Sequence, residues 1–224
     1  AWGDASPPVM PRSAIKPIQA LPLLSTGAAD AFHLTDVELA LACASHGGEP
    51  AHVDAVAGWL ERLGLDAADL ACGAQVPMNA SAAAAVAAAG TDATAAYNNC
   101  SGKHTGFLTV LRHLGLALDG YVDPTHPLQA DHITPSIERT CGVDLAAAHP
   151  GVDGCGIPVW SMPLDRLARG WATIGGEPEG SPAQRLLSAM RNEPFLVAGS
   201  SRACTRLIRT ATGGTVVKTG AEGV

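Results

Sequence analysis

The chain has no run of basic residues. Its 14 Lys and Arg are outnumbered by 21 Asp and Glu, which leaves a formal net charge of −7 and a pI near 5.5. Displacing the counterions of a phosphate backbone takes clustered cations, so nucleic acid is not expected as a partner. Long apolar stretches are missing too. The most continuous one, residues 80–89, is ten residues of mostly alanine, well short of the roughly 20 needed to cross a bilayer. The six cysteines, at 43, 72, 100, 141, 155 and 204, form no Cys-x-x-Cys pair of the kind standard zinc modules use. They are spread through segments that otherwise read as core, in a chain far longer than a disulfide-stapled module, which fits a reducing, cytoplasmic setting. A phosphate loop is absent, because Tyr97 stands five places before Gly102 and His104 follows Lys103. No internal repeat is visible.

What remains is enough for a sizeable core: 47% of the residues are hydrophobic and 16% charged. Thr35-Asp36-Val37-Glu38 has the form of a capping box and predicts a helix ending near the Ser45-His46-Gly47-Gly48 corner. Apolar residues at helical spacing predict a second helix from Pro50 to Leu63. Ala80 to Ala89 reads as a closely packed helix stopped by Gly90, and Lys103 to Leu114 as an amphipathic one. Pro127 to Cys141 predicts a helix interrupted at Pro135, and Ser181-Pro182 opens another that runs to Asn192. Val197-Ala198-Gly199 and Thr215 to Lys218 read as strands. Helices in the middle with strand signals toward the ends give an α+β domain over residues 1–224, its helical part roughly 30–195. Ala1 in place of Met, and an end at Val224 inside a Gly-rich turn, suggest a piece of a longer parent trimmed at both ends.

Three segments carry chemistry. Asn98 to Phe107 places Cys100, Ser101, Lys103 and His104 together at a predicted helix start. Ser13-x-x-Lys16 puts a hydroxyl and an amine on one helix face, and a serine is activated when such an amine is held neutral. Lys218-Thr219-Gly220 near the other end completes the order Ser-x-x-Lys, loop serine (Ser45), Lys-Thr-Gly that serine β-lactamases and penicillin-binding proteins use. Cys100 and Lys103 with Cys155, from Asp153-Gly154-Cys155-Gly156, offer two soft sulfurs and an amine, which suits zinc better than magnesium or calcium. His46 and His104 flank the motifs and have the acid–base range to touch substrate. The bland readings are a solvated lysine, two buried cysteines beside a turn, and histidines bonded to nearby backbone.

These motifs resemble the Rhizobium etli-type L-asparaginases, the asparaginase II family, over the whole chain. The match runs through residues 11–17, 43–49, 98–107, 153–158 and 218–224. The resemblance implies a serine β-lactamase-like fold, an antiparallel sheet with a helical subdomain, in which further strands precede and follow the segment seen here. It implies hydrolysis of the side-chain amide of L-asparagine, with Ser13 and Lys16 as one catalytic couple and Ser45 and Lys218 as the second. Cys100, Lys103 and Cys155 would bind zinc, Asp153 would meet the substrate's amino group or metal-bound water, and Arg12 would orient a carboxylate. A homodimer is also implied. The chain departs from the family's pattern at Gln75, where a histidine is common, and at Cys204, where an acid is usual. Two alternatives stay open: a related amidohydrolase acting on another amide, and a non-catalytic zinc-binding or thiol redox-sensing protein.

Overall fold

A computed structural model describes residues 3–146, 148 and 150–223. The helices are α1 (Lys16–Gln19), α2 (Leu21–Ser25), α3 (Ala28–Ala31), α4 (Asp36–Ala42), α5 (Pro50–Arg62), α6 (Ala80–Ala89), α7 (Ser101–Leu114), α8 (Thr134–Cys141), α9 (Leu164–Gly175), α10 (Pro182–Asn192), α11 (Pro194–Ala198) and α12 (Ala203–Thr210). The strands are two residues each: β1 (Pro8–Val9), β2 (Gly151–Val152), β3 (Pro158–Val159) and β4 (Met162–Pro163). They make two separate antiparallel ladders, β1 with β4 and β2 with β3. The architecture is thus mixed helix and small antiparallel sheets, with helix predominant from Lys16 to Thr210.

Helix α4 is the hub. It packs on α5, α7, α10 and α11, and Leu39, Ala40 and Leu41 are all but fully buried, against Leu108 and Leu111 of α7 and Ala189 and Met190 of α10 in the same apolar cluster. Its start is fixed by the predicted capping box: Thr35 Oγ1 accepts the Val37 N–H, and the Glu38 carboxylate takes the Thr35 N–H at 2.8 Å. Burial works against the Glu38 charge, yet the Thr35 hydrogen bonds and the Arg62 guanidinium of α5 hold its carboxyl below the usual range. Helix α7 lies so close to α4 that a Cβ on Gly102 would sit 2.4 Å from the Leu41 carbonyl oxygen. Only glycine allows that approach, which brings the first turn of α7 up against the loop that leaves α4.

The predicted helices over 35–44, 50–63, 103–114 and 182–192 are present within a residue or two, and the 127–141 segment is interrupted as expected, a π-helical turn (Leu128–Ile133) running into α8. Three expectations are corrected. Helix α6 is not closely packed: of its ten residues only Ala82 is buried. Residues 197–198 belong to α11, where Pro194 in the first turn presets helical φ. Thr215 to Lys218 is not a strand, since no neighbouring strand stands beside it among the described residues.

Candidate active site

Lys16 opens α1 directly after a 3₁₀ turn, Arg12–Ile15, and its side chain runs inward with no exposed surface. Its amine donates to the Ala44 carbonyl, to Ser45 Oγ at 2.9 Å and to the Asn99 carbonyl at 3.4 Å. Three acceptors match the three hydrogens an ammonium carries. The hydrogen bond therefore joins Lys16 to Ser45 rather than to Ser13 three residues before it. Ser13 is half-buried, and among the described residues its hydroxyl makes no hydrogen bond.

Ser45 is held in the loop after α4 by its N–H, which donates to the Val197 carbonyl at 2.9 Å. The next residue, His46, is fully buried, and both its ring nitrogens are committed: Nδ1 accepts the Gly48 N–H at 3.2 Å and Nε2 meets Ser101 Oγ at 2.9 Å, which in turn donates to Ala96 O. Burial, with the charges of His52 and Lys16, pulls His46 well below the ordinary histidine range. His46 is thus a neutral strut between the Ser45 loop and the first turn of α7.

Cys100 stands at the N-cap position of α7, its own N–H held by Asn98 Oδ1 at 2.9 Å. Asn98 Nδ2 ties this turn to the Cys72 carbonyl. Asp153 and Cys155 lie in the turn of the β2–β3 hairpin, closed by Gly156 at φ 87°. The hairpin carries Cys155 to Lys103, whose amine donates to Sγ at 3.0 Å. A hydrogen bond from Cys155 draws Cys100 well below the thiol range, and the same contact and burial push Cys155 up. Burial alone would lower Lys103, but the charges of Cys100 and Cys155 outweigh it and raise the amine. Two sulfurs and one amine therefore meet in one buried place. Among the described residues no group of three or more His, Cys, Asp or Glu assembles as a metal site; the set that does converge includes a lysine. Its two thiols fit a soft metal, which would have to displace the protons of Cys155 and Lys103.

Arg12 has φ 43°, in the left-handed region that a non-glycine residue enters at a cost of about 1–3 kcal/mol. Its Nε donates to Asp153 Oδ1 at 2.9 Å and its Nη1 to Glu222 Oε1 at 3.2 Å. Although burial opposes it, the Gly154 N–H, the charge of Lys103 and Arg12 hold the Asp153 carboxyl below the usual range. His104 is fully buried, with Nδ1 against the Tyr121 hydroxyl at 2.7 Å and Nε2 without a partner among the described residues.

Lys218 arrives on the segment without regular structure, buried, with its amine on the Thr219 carbonyl at 2.9 Å. Burial and the charge of Lys16 lower it to about 7. The Thr219 N–H is held by Cys204 Sγ of α12 at 3.3 Å. The Ser101, Tyr121, Cys204 and Glu222 contacts escape a reading by motif. Ser101 and Glu222 lie inside segments singled out for their neighbours, Cys204 is marked only by its departure from the resembling family's pattern, and Tyr121 carries no local signal.

The geometry thus joins a serine hydroxyl to a buried lysine, with a second buried lysine whose amine is lowered to about 7 by burial and the Lys16 charge. The L-asparaginase II family model matches residues 1–224, and the chain belongs to that family, one of amidohydrolases. No curated protein matches it. No helix among the described residues is long and apolar enough to cross a membrane.

Proposed function

We propose that the protein hydrolyses the side-chain amide of L-asparagine to L-aspartate and ammonia, with Ser13, Lys16, Ser45 and Lys218 as its catalytic set. The observation that carries this reading is the Lys16–Ser45 hydrogen bond at 2.9 Å inside a closed centre. Family membership supports the reaction class. The order of Ser13-x-x-Lys16, Ser45 and Lys218-Thr219-Gly220 around one helical centre supports a serine β-lactamase-like fold. Glutamine and other amides are the competing substrates.

Ser13 is the nucleophile: it is half-buried with a free hydroxyl, whereas Ser45 is committed to Lys16. Lys218, its amine lowered to about 7, first takes a proton from Lys16 through Ser45; the freed Lys16 amine then takes the Ser13 proton as Oγ bonds to the carbamoyl carbon, and Lys218 returns its proton to the leaving nitrogen. Backbone N–H groups beside the serines are the donors for the developing oxyanion. The C–N bond breaks as ammonia gains that proton, and water then cleaves the Ser13 ester to release aspartate. Arg12 orients the substrate carboxylate, and Asp153 fixes Arg12 and faces the substrate's amino group. His46 and His104 act from behind the reacting groups, His46 by holding the Ser45 loop and His104 by backing the thiol turn. When zinc is bound, Cys100, Lys103 and Cys155 hold it, and its positive charge helps to orient substrate.

Ammonia release from L-asparagine tests the reading. Ser13→Ala and Ser45→Ala should each cost at least three orders of magnitude in kcat, because the set acts as a unit. Full activity in either variant removes that serine from the mechanism, and turnover of L-glutamine alone replaces the substrate.

A further inference from the structure

Next to Asp153 stands a pair of opposite charges, Arg12 and Glu222, that bond-breaking does not use. Lys16, Ser45, Cys100, Lys103 and Cys155 are all 6% exposed or less. Outside them, the Arg12 side chain is 33% exposed and that of Glu222 51%, while Asp153 is 8% exposed. Arg12 and Glu222 are thus the exposed charged side chains tied, through Asp153, to the hairpin that carries Cys155.

The two carboxylates on Arg12 differ in what they have left to give. Asp153 Oδ1 accepts Arg12 Nε and the Gly154 N–H, at 2.9 and 2.8 Å, so this oxygen is spent on fixing the guanidinium and the hairpin turn. Glu222 makes a single hydrogen bond among the described residues, Oε1 to Arg12 Nη1 at 3.2 Å. An ionised carboxylate has about four acceptor positions. Glu222 therefore keeps most of its capacity, beside a guanidinium whose Nη2 has no partner among the described residues.

A free α-amino acid carries its carboxylate and its ammonium on one carbon. A site that recognises both needs a cation and an anion side by side, each with donors or acceptors to spare. We propose that Glu222 binds the α-ammonium group of the substrate while Arg12 receives its α-carboxylate, so that the pair selects a free amino-acid amide over an amide that lacks the amine. This rests on the asparaginase reading above and adds a specificity-determining residue to it. Glu222 gives up its bond to Arg12 Nη1 when the substrate carboxylate arrives, and the ammonium takes its place on the Glu222 carboxylate.

The experiment compares L-asparagine with succinamate, which is asparagine without its α-ammonium group, on the full chain. The readout is the ratio of the two kcat/KM values, in which any misfolded fraction cancels. Glu222→Gln keeps size and polarity but removes the charge. It should lower the ratio about tenfold or more, through KM for asparagine, as for the loss of one charge-assisted hydrogen bond. Glu222→Asp, which keeps the charge, should recover part of the ratio. A ratio unchanged in Glu222→Gln, even with both rates reduced, makes Glu222 a latch for Arg12 and overturns the proposal while the asparaginase reading stands. Wild-type protein that releases ammonia from neither compound overturns both.

Discussion

Lys16 enters the centre on a helix whose four residues are all buried, and it spends its amine on Ala44, Ser45 and Asn99. Lys218 reaches the same centre on a stretch with no regular structure, from residue 215 to residue 220, and among the described residues donates only to the carbonyl of Thr219. Both are buried. One lysine is built into the packing, with backbone and hydroxyl oxygens arranged for it, while the other is tolerated at the cost of a proton, its amine lowered to about 7. A buried amine with its acceptors in place is part of the fold, whereas one without them is set up to exchange protons. Within one centre the molecule thus sets a lysine anchored by its acceptors beside one that gives up its proton readily.

Replacing each lysine by methionine gives the largest effect and the most direct way to break this comparison. Lys16→Met leaves the Ala44 carbonyl and Ser45 Oγ without their donor, while the Asn99 carbonyl keeps the His46 N–H at 3.3 Å, and leaving buried polar groups unsatisfied costs about 1–3 kcal/mol each. We expect kcat on L-asparagine to fall at least a thousandfold and the urea midpoint to drop. Lys218→Met should lose activity on a similar scale while keeping or raising the midpoint near pH 7, because it removes an amine that burial disfavours. Equal shifts in midpoint for the two variants would show that the lysines are anchored alike.

What the residues disclose in advance follows the same division. Helices α4, α5, α7 and α10 announce themselves by caps, Gly stops and apolar spacing, signals that are local and survive without tertiary knowledge. Some motif residues meet in pairs, Lys16 with Ser45 and Lys103 with Cys155, because they lie in or beside those well-marked elements. Partner choice is less legible. A three-residue spacing on a helix suggests that Lys16 serves Ser13, but the lysine is long enough to reach the loop after α4, where three oxygens wait. Strand character at Thr215 to Lys218 is misread because β-branched residues favour a strand only where another strand can pair with them. For α6, alanine is a strong helix former, but its apolar character says nothing about which neighbours cover it.

The proton on Lys218 gives the second prediction. Below about pH 7 both the folded and the unfolded chain hold it, so the burial cost is present in full. Between about 7 and the ordinary lysine value of 10.5, the unfolded chain keeps the proton while the folded chain has released it. The unfolded state then binds more protons, so stability rises with pH. Thiols act oppositely higher up: burial pushes Cys43 and Cys72 up to about 12 from an ordinary 9, which costs stability above pH 9. From pH 7 to 9 those thiols are silent, while Cys100, held well below the ordinary thiol value, acts with the same sign as Lys218, so the Lys218 contribution is the difference between wild type and Lys218→Met. Urea denaturation across this window should show wild-type stability rising and the Lys218→Met slope flatter. Wild-type kcat should rise through about pH 7 as the amine becomes available as a base. Parallel stability profiles for the two proteins would remove the division between an anchored and an exchanging lysine.

The smallest effect concerns what holds Lys218 at all. Cys204 sits where the resembling family usually has an acid, and its sulfur accepts the Thr219 N–H at 3.3 Å while lying 3.4 Å from the Thr219 hydroxyl. Sulfur is a weak acceptor, so the segment that carries the exchanging lysine is tied to α12 by weak contacts. Cys204→Ala removes the acceptor and should cost about 1 kcal/mol of stability, with a fall of a few-fold in kcat at an unchanged KM. Cys204→Asp restores an acceptor of greater strength and should recover kcat to the wild-type level or above. If alanine and aspartate at 204 give the same kcat, the sulfur only fills space and the Lys218 segment keeps its place by burial alone.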